Sequence, residues 1–168
     1  MSPAPDSGAT DLRSTYKTEH TSVPGWFHAV DLAVFEHTDA SQRTAGVLGS
    51  VLEIGVYQGA SAILLGFLVD DAQELVVCDL FDSTTVPNPD LAAADPGASN
   101  QAENAAYYGG LAQQTFESHY LRYHDALPQI RCCSSAELDP SALDPMRLMH
   151  IDGSHLYDFV RADLTLSR

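Results

Sequence analysis

Short, nearly continuous apolar runs recur along this chain, and between them apolar positions fall at helical spacing. The compact run Ser50 to Val56 predicts a strand covered on both faces, because a half-exposed strand would alternate apolar and polar residues. Glu74 to Leu80, Gln129 to Cys133 and Arg147 to Ile151 predict three further strands. Helical spacing predicts a helix from about Pro24 to His37, carried by Trp26, Phe27, Val30, Val34 and Phe35. A short second segment, Ser41 to Val47, leads on to Gly49. Further helices are expected at about Ala60 to Val69, Leu111 to His124 and Leu156 to Arg168. Residues 1–12, opening with a run rich in Pro, Ser, Gly and Asp, are expected to be a flexible tail ahead of one domain over 13–168. Asp82 to Gly110 carries Pro87, Pro89, Pro96, Gly97, Gly109 and Gly110 and is expected to be a long loop, a functional lid or a disordered stretch. The sequence has no internal repeat.

Strands alternating with helices predict an α/β fold: a doubly wound, Rossmann-like parallel sheet with an N-terminal helix. In such sheets ligands bind beyond the carboxyl ends of the strands, where the winding reverses. The chemically suggestive residues all fall at such ends: Glu53 to Gly59 after the first strand, Asp79 after the second, Ser134 and Ser135 after the third, and Asp152 to His155 after the fourth. One motif could arise by chance; four on the same edge point to a shared crevice.

Composition narrows the ligand. The 168 residues suffice to bury a core, and eight Lys plus Arg against 23 Asp plus Glu give a formal charge of −15. Such a surface argues against nucleic-acid partners and against anionic membranes. It favours a small molecule that is neutral or cationic, or an anion held by backbone amides. The N-terminus has no signal-peptide pattern and no segment reaches the length of a membrane span, so a cytoplasmic location is expected. Three cysteines, two of them adjacent, make a poor disulfide framework; Cys78, Cys132 and Cys133 are expected to be small buried hydrophobes.

Glu53-Ile54-Gly55-Val56-Tyr57-Gln58-Gly59 leads straight into a helix. Gly55 permits a tight strand-to-helix turn, and Gly59 lets the helix pack close with its amide-rich start toward a ligand. A dinucleotide fingerprint would place a second glycine where Tyr57 stands, to admit a pyrophosphate. Glu53, two residues before the first glycine, suits an ammonium-bearing ligand, bound directly or through water. Asp79, 20 residues after Gly59, can accept hydrogen bonds from both hydroxyls of a ribose, with Asp82 a weaker alternative. Ser134 and Ser135 either face a base edge or, with Glu137, cap a helix. Asp152 emerges beside the reactive end of such a ligand, and His155 is placed to act as a general base near neutral pH. His150, inside the fourth strand, reads as a satisfied interior group; His20, His28, His37, His119 and His124 carry no readable signal.

Taken together, the runs Val51 to Ser61 and Ile151 to Tyr157 resemble the class I S-adenosylmethionine-dependent methyltransferases, more narrowly the small-molecule O-methyltransferases of bacterial sugar and natural-product tailoring. The likeness covers roughly Trp26 to Arg168. It implies Glu53, Gly55 and Gly59 around the methionine portion, Asp79 on the ribose and Ser134 or Ser135 near the adenine, with Tyr57 and Ser61 also among the cofactor-binding residues. In metal-dependent members the aspartate matching Asp152 helps hold a Mg²⁺ that orients the acceptor hydroxyls, and carboxylate oxygens suit that hard cation.

Members of that family normally continue into a fifth strand ending in paired aspartates and then an antiparallel hairpin, whereas this sequence stops at Arg168. The sheet is therefore expected to be incomplete after the fourth strand, the chain to be truncated, and Asp152 to be part of a metal site only. With strand order 3-2-1-4 the fourth strand is an apolar open edge, which invites pairing into a homo-oligomer unless something covers it.

The expected activity is methyl transfer to an oxygen of a small hydroxylated metabolite, with His155 removing the acceptor proton. Two rivals stand beside it. A nicotinamide-dependent oxidoreductase is disfavoured by Tyr57 and Glu53. A catalytically incomplete binding module with the same fold is favoured by the missing carboxyl-terminal strands.

Overall fold

In the computed structural model, residues 11–70, 72–81, 113–153, 155 and 157–166 are described. Residues 1–10 of the expected tail, the loop Asp82 to Gly110, and Leu111, Ser154, Leu156 and Arg168 lie outside them.

Four parallel strands form the sheet: β1 (Ser50–Ile54), β2 (Leu75–Asp79), β3 (Gln129–Cys132) and β4 (Met146–Ile151), in the order β3-β2-β1-β4. The sequence expectation for the strands holds to within two residues. β1 lies between β2 and β4 and is buried throughout, which is why its run shows no alternation. Successive residues serve opposite faces. Val51 joins a core with Leu75, Val77, Ile63 and Phe116, while Leu52 and Ile54 join a second with Val76, Cys78 and Met149. Both faces are thus covered, as a doubly wound sheet requires. Cys132 corrects one expectation: β3 is an edge strand, and this cysteine is exposed.

The helices are α1 (Leu12–Glu19), α2 (Ala29–Thr44), α3 (Ala60–Gly66), α4 (Gln113–Tyr120) and α5 (Tyr157–Thr165). α1 begins inside the stretch expected to be tail. Asp11 caps it by accepting the Arg13 amide at 3.2 Å, and Tyr16, wholly buried, anchors it by donating to the Ala60 carbonyl. A single anchor leaves no periodicity to read.

α2 starts five residues later than expected and runs seven further. Its start is set where the His28 amide donates to Asp31 Oδ2 at 2.8 Å. Its second half holds on by charge rather than by apolar contact. Asp39 accepts from Arg147 at 2.7 Å and from Arg43 at 3.0 Å, and Gln42 bonds both the carbonyl and the guanidinium of Arg147 at 2.6 Å. The expected segment from Ser41 is therefore the end of α2.

Candidate functional site

The carboxyl ends of β1, β2 and β4 converge on the turn that links β1 to α3. The Gly55 amide donates to the Cys78 carbonyl at 2.9 Å, and the Asp152 amide donates to the Ile54 carbonyl at 2.8 Å. Gly55 adopts φ +84°, and a Cβ there would strike the Asp152 carbonyl, so only glycine fits between the two strand tips. Asp79 closes the turn from the other side. Its Oδ2 accepts the Val56 and Tyr57 amides at 2.6 and 2.9 Å, and its Oδ1 accepts the Phe81 amide at 3.0 Å. The acid at the tip of β2 is thus joined to the glycine turn of β1.

Tyr57 takes the left-handed conformation, φ 51°, that glycine would adopt without strain. Its ring lies 5.7 Å from that of Trp26, which is 63% exposed. Gly59 begins α3 with φ +94°, and a Cβ there would meet the Phe116 ring of α4 at 2.7 Å. The expected close packing at Gly59 is therefore against α4. His119, one turn further along α4, bonds the Gln58 carbonyl at 3.0 Å and holds the turn from outside.

Glu53 and His150 are cross-strand partners in the β1–β4 register, and both side chains share a face with Val51 and Leu148. Glu53 is wholly buried. Its Oε1 accepts from Ser61 Oγ in the first turn of α3 and from His150 Nδ1 at 2.8 Å. Its Oε2 is buried with no partner among the described residues. Burial pushes the His150 pKa down, but the hydrogen bond and charge of Glu53, with the charges of Asp152 and Asp31, outweigh it, and the net shift is upward. Burial, and secondarily the charge of Glu53, raise the pKa values of the Tyr16 and Tyr120 phenols. His150 is therefore an interior group with a specific partner, as its place in the strand suggested, and its link to Glu53 is one that only the cross-strand register reveals. The role of His119 likewise had no local signal.

Ser134 accepts the Ala136 amide at 3.3 Å, and its own amide donates to Glu137 at 3.0 Å. The capping reading of Ser134 is thus the one drawn by the hydrogen bonds. Both serines follow Cys132, the cross-strand partner of Asp79. Asp152 and His155 are exposed beyond β4. Among the described residues no group of three or more His, Cys, Asp or Glu side chains could hold a metal ion, so Asp152 is not joined there by the further carboxylates that a Mg²⁺ site needs. A shallow depression lined by Val69, Gln73, Leu75, Tyr120, Leu127 and Gln129 lies at the amino ends of β2 and β3, the edge away from these groups.

Residues 52–168 match the model of a family described as a methyltransferase domain, and the chain belongs to that family. Among solved structures, the O-methyltransferase NovP is similar with a TM-score of 0.60 and 19% identity, over 82% of this chain and 58% of NovP. The chain thus spans less than two thirds of the length of NovP. CalS11, a calicheamicin methyltransferase, is similar with a TM-score of 0.50 and 18% identity, over 100% of this chain and 75% of CalS11. At these identities the likeness extends to the fold alone, a Rossmann-like parallel sheet with flanking helices. No curated protein matches the chain in sequence. No described helix is long and apolar enough to cross a membrane.

Proposed function

We propose that the chain binds S-adenosylmethionine at the carboxyl edge of the sheet and serves methyl transfer to an oxygen of a small hydroxylated molecule. The observation that carries this reading is the bonding of Asp79 to the Val56 and Tyr57 amides, which joins the acid of β2 to the Glu53–Gly59 turn of β1 in one crevice. The buried Oε2 of Glu53, without a partner among the described residues, suits the ammonium of such a ligand. Asp79 Oδ1, accepting one amide, keeps capacity for a ribose hydroxyl. Ser134 and Ser135 follow Cys132, the cross-strand partner of Asp79, where they are proposed to face an adenine. NovP, an O-methyltransferase of similar fold, supports an oxygen as the acceptor.

When bound, S-adenosylmethionine supplies a methyl group already activated on a sulfonium, so the chain's own residues have to align the reactants and manage one proton. His155, exposed past β4, is proposed as the group that takes the acceptor's proton. β4 is an edge strand and is further proposed to pair with a second copy.

Calorimetry with S-adenosylhomocysteine is expected to give saturable, one-to-one binding, and no heat of binding would overturn the cofactor reading. With an acceptor that the chain turns over, His155→Ala is expected to slow turnover about a hundredfold while cofactor affinity holds. An unchanged rate would remove His155 from its role.

A further inference from the structure

We propose that His150 is a positioning residue of the ligand site: by donating Nδ1–H to Glu53 Oε1, it leaves Oε2 as the acceptor for a ligand's ammonium group. The inference rests on the cofactor reading above and adds a residue to it.

The geometry assigns each lone pair. Ser61 and His150 both bond Oε1, so one oxygen of the carboxylate is filled from α3 and β4 while the other has no partner among the described residues. Buried carboxylate oxygens are rarely left bare, and one left bare at a strand tip is ready for a donor that arrives with a ligand. His150 cannot easily swing away. It sits opposite Glu53 in the β1–β4 ladder, Phe35 of α2 meets its ring edge-on with centroids 5.0 Å apart, and only 21% of its side chain is exposed. The charged groups near the pair favour a cation. Asp31 of α2 and Asp152 beyond β4 both act on His150 with negative charge, and the phenols of Tyr16 and Tyr120 stay neutral. Without His150, Ser61 alone would hold Oε1, and the carboxylate could turn Oε2 away from the position it offers an ammonium.

The test compares two nucleosides that differ in the amino-acid portion. S-adenosylhomocysteine carries the ammonium; 5′-methylthioadenosine lacks it. Calorimetry on the 168-residue chain is expected to show that His150→Leu weakens S-adenosylhomocysteine about tenfold and leaves 5′-methylthioadenosine within about twofold. His150→Asn, whose amide can still donate to Glu53, is expected to recover most of the loss. Should the leucine variant fail to fold, the near-isosteric Glu53→Gln is expected to give the same split between the two nucleosides. An equal loss for both nucleosides, or no loss for either, overturns the proposal. Wild-type chain that binds 5′-methylthioadenosine but not S-adenosylhomocysteine overturns it as well. Wild-type chain that binds neither overturns the cofactor reading and the proposal with it.

Discussion

At the scale of single residues, the site depends on a few groups whose partners are far away in sequence. His124 is an instance outside the crevice. Its Nε2 donates to the Ile63 carbonyl at 2.9 Å, and its ring stacks on Tyr120 with centroids 4.3 Å apart. Burial lowers its pKa from the ordinary 6.5, more than the Ile63 bond and the Asp125 charge raise it. The unfolded chain therefore takes up a proton at a higher pH than the folded one. The stability this neutral ring permits is complete above about pH 6.5 and is lost as pH falls below it. His150, shifted upward, contributes in the opposite sense: its stabilisation is complete below its ordinary 6.5 and fades as pH rises through its folded value. His124→Gln keeps a donor for Ile63 without a titrating ring. Its urea midpoint is expected to fall less than that of the wild type between about pH 7.5 and 5.5. Equal falls would show that His124 does not shape the acid limb. The residues at strand tips (Glu53, Gly55, Asp79, Asp152) were legible in the sequence, because topology alone sends such positions to one edge. His150 and His119 were not, because their meaning lies in cross-strand register and in helix packing, which no local pattern encodes.

At the scale of elements, the strands were legible, α1 was not, and α2 was only partly so. A strand buried on both faces writes itself as an apolar run, and β1 is of that kind. The second half of α2 has a polar inner face, because Asp39, Gln42 and Arg43 meet Arg147, Asp70 and the Leu68 carbonyl there, and apolar periodicity stops where that network begins. The Arg147 side chain is 1% exposed, and its guanidinium donates to Asp39, Gln42 and Leu68. Removing one partner of such a pair leaves a buried charge uncompensated. Asp39→Ala is expected to destabilise the chain by about 3–5 kcal/mol, and Asp39→Asn by less, as measured by urea denaturation. A loss well under 1 kcal/mol for the alanine variant would mean that α2 is held to β4 by other contacts.

At the scale of the whole molecule, two features oppose each other. Among the described strands β4 lies at an edge, proposed above to pair with a second copy, while a formal charge of −15 drives copies apart. Salt screens the second without touching the first, so self-association is expected to strengthen with ionic strength. Light scattering is expected to give a mean mass above 18.1 kDa that grows from low to moderate salt. A monomer mass under both conditions, at high protein concentration, would show the edge to be closed to other copies. The order of strands in space also carries a temporal consequence. β1 is made early, yet its neighbour β4 is made nearly a hundred residues later, as the span of 97 between Glu53 and His150 records. During synthesis a ribosome-bound chain can shape the glycine turn against β2 while Glu53 still lacks its imidazole. On the cofactor reading proposed above, recognition of the ligand's charged end has to wait for β4, and translation arrested before β4 emerges is expected to yield a fragment blind to that end.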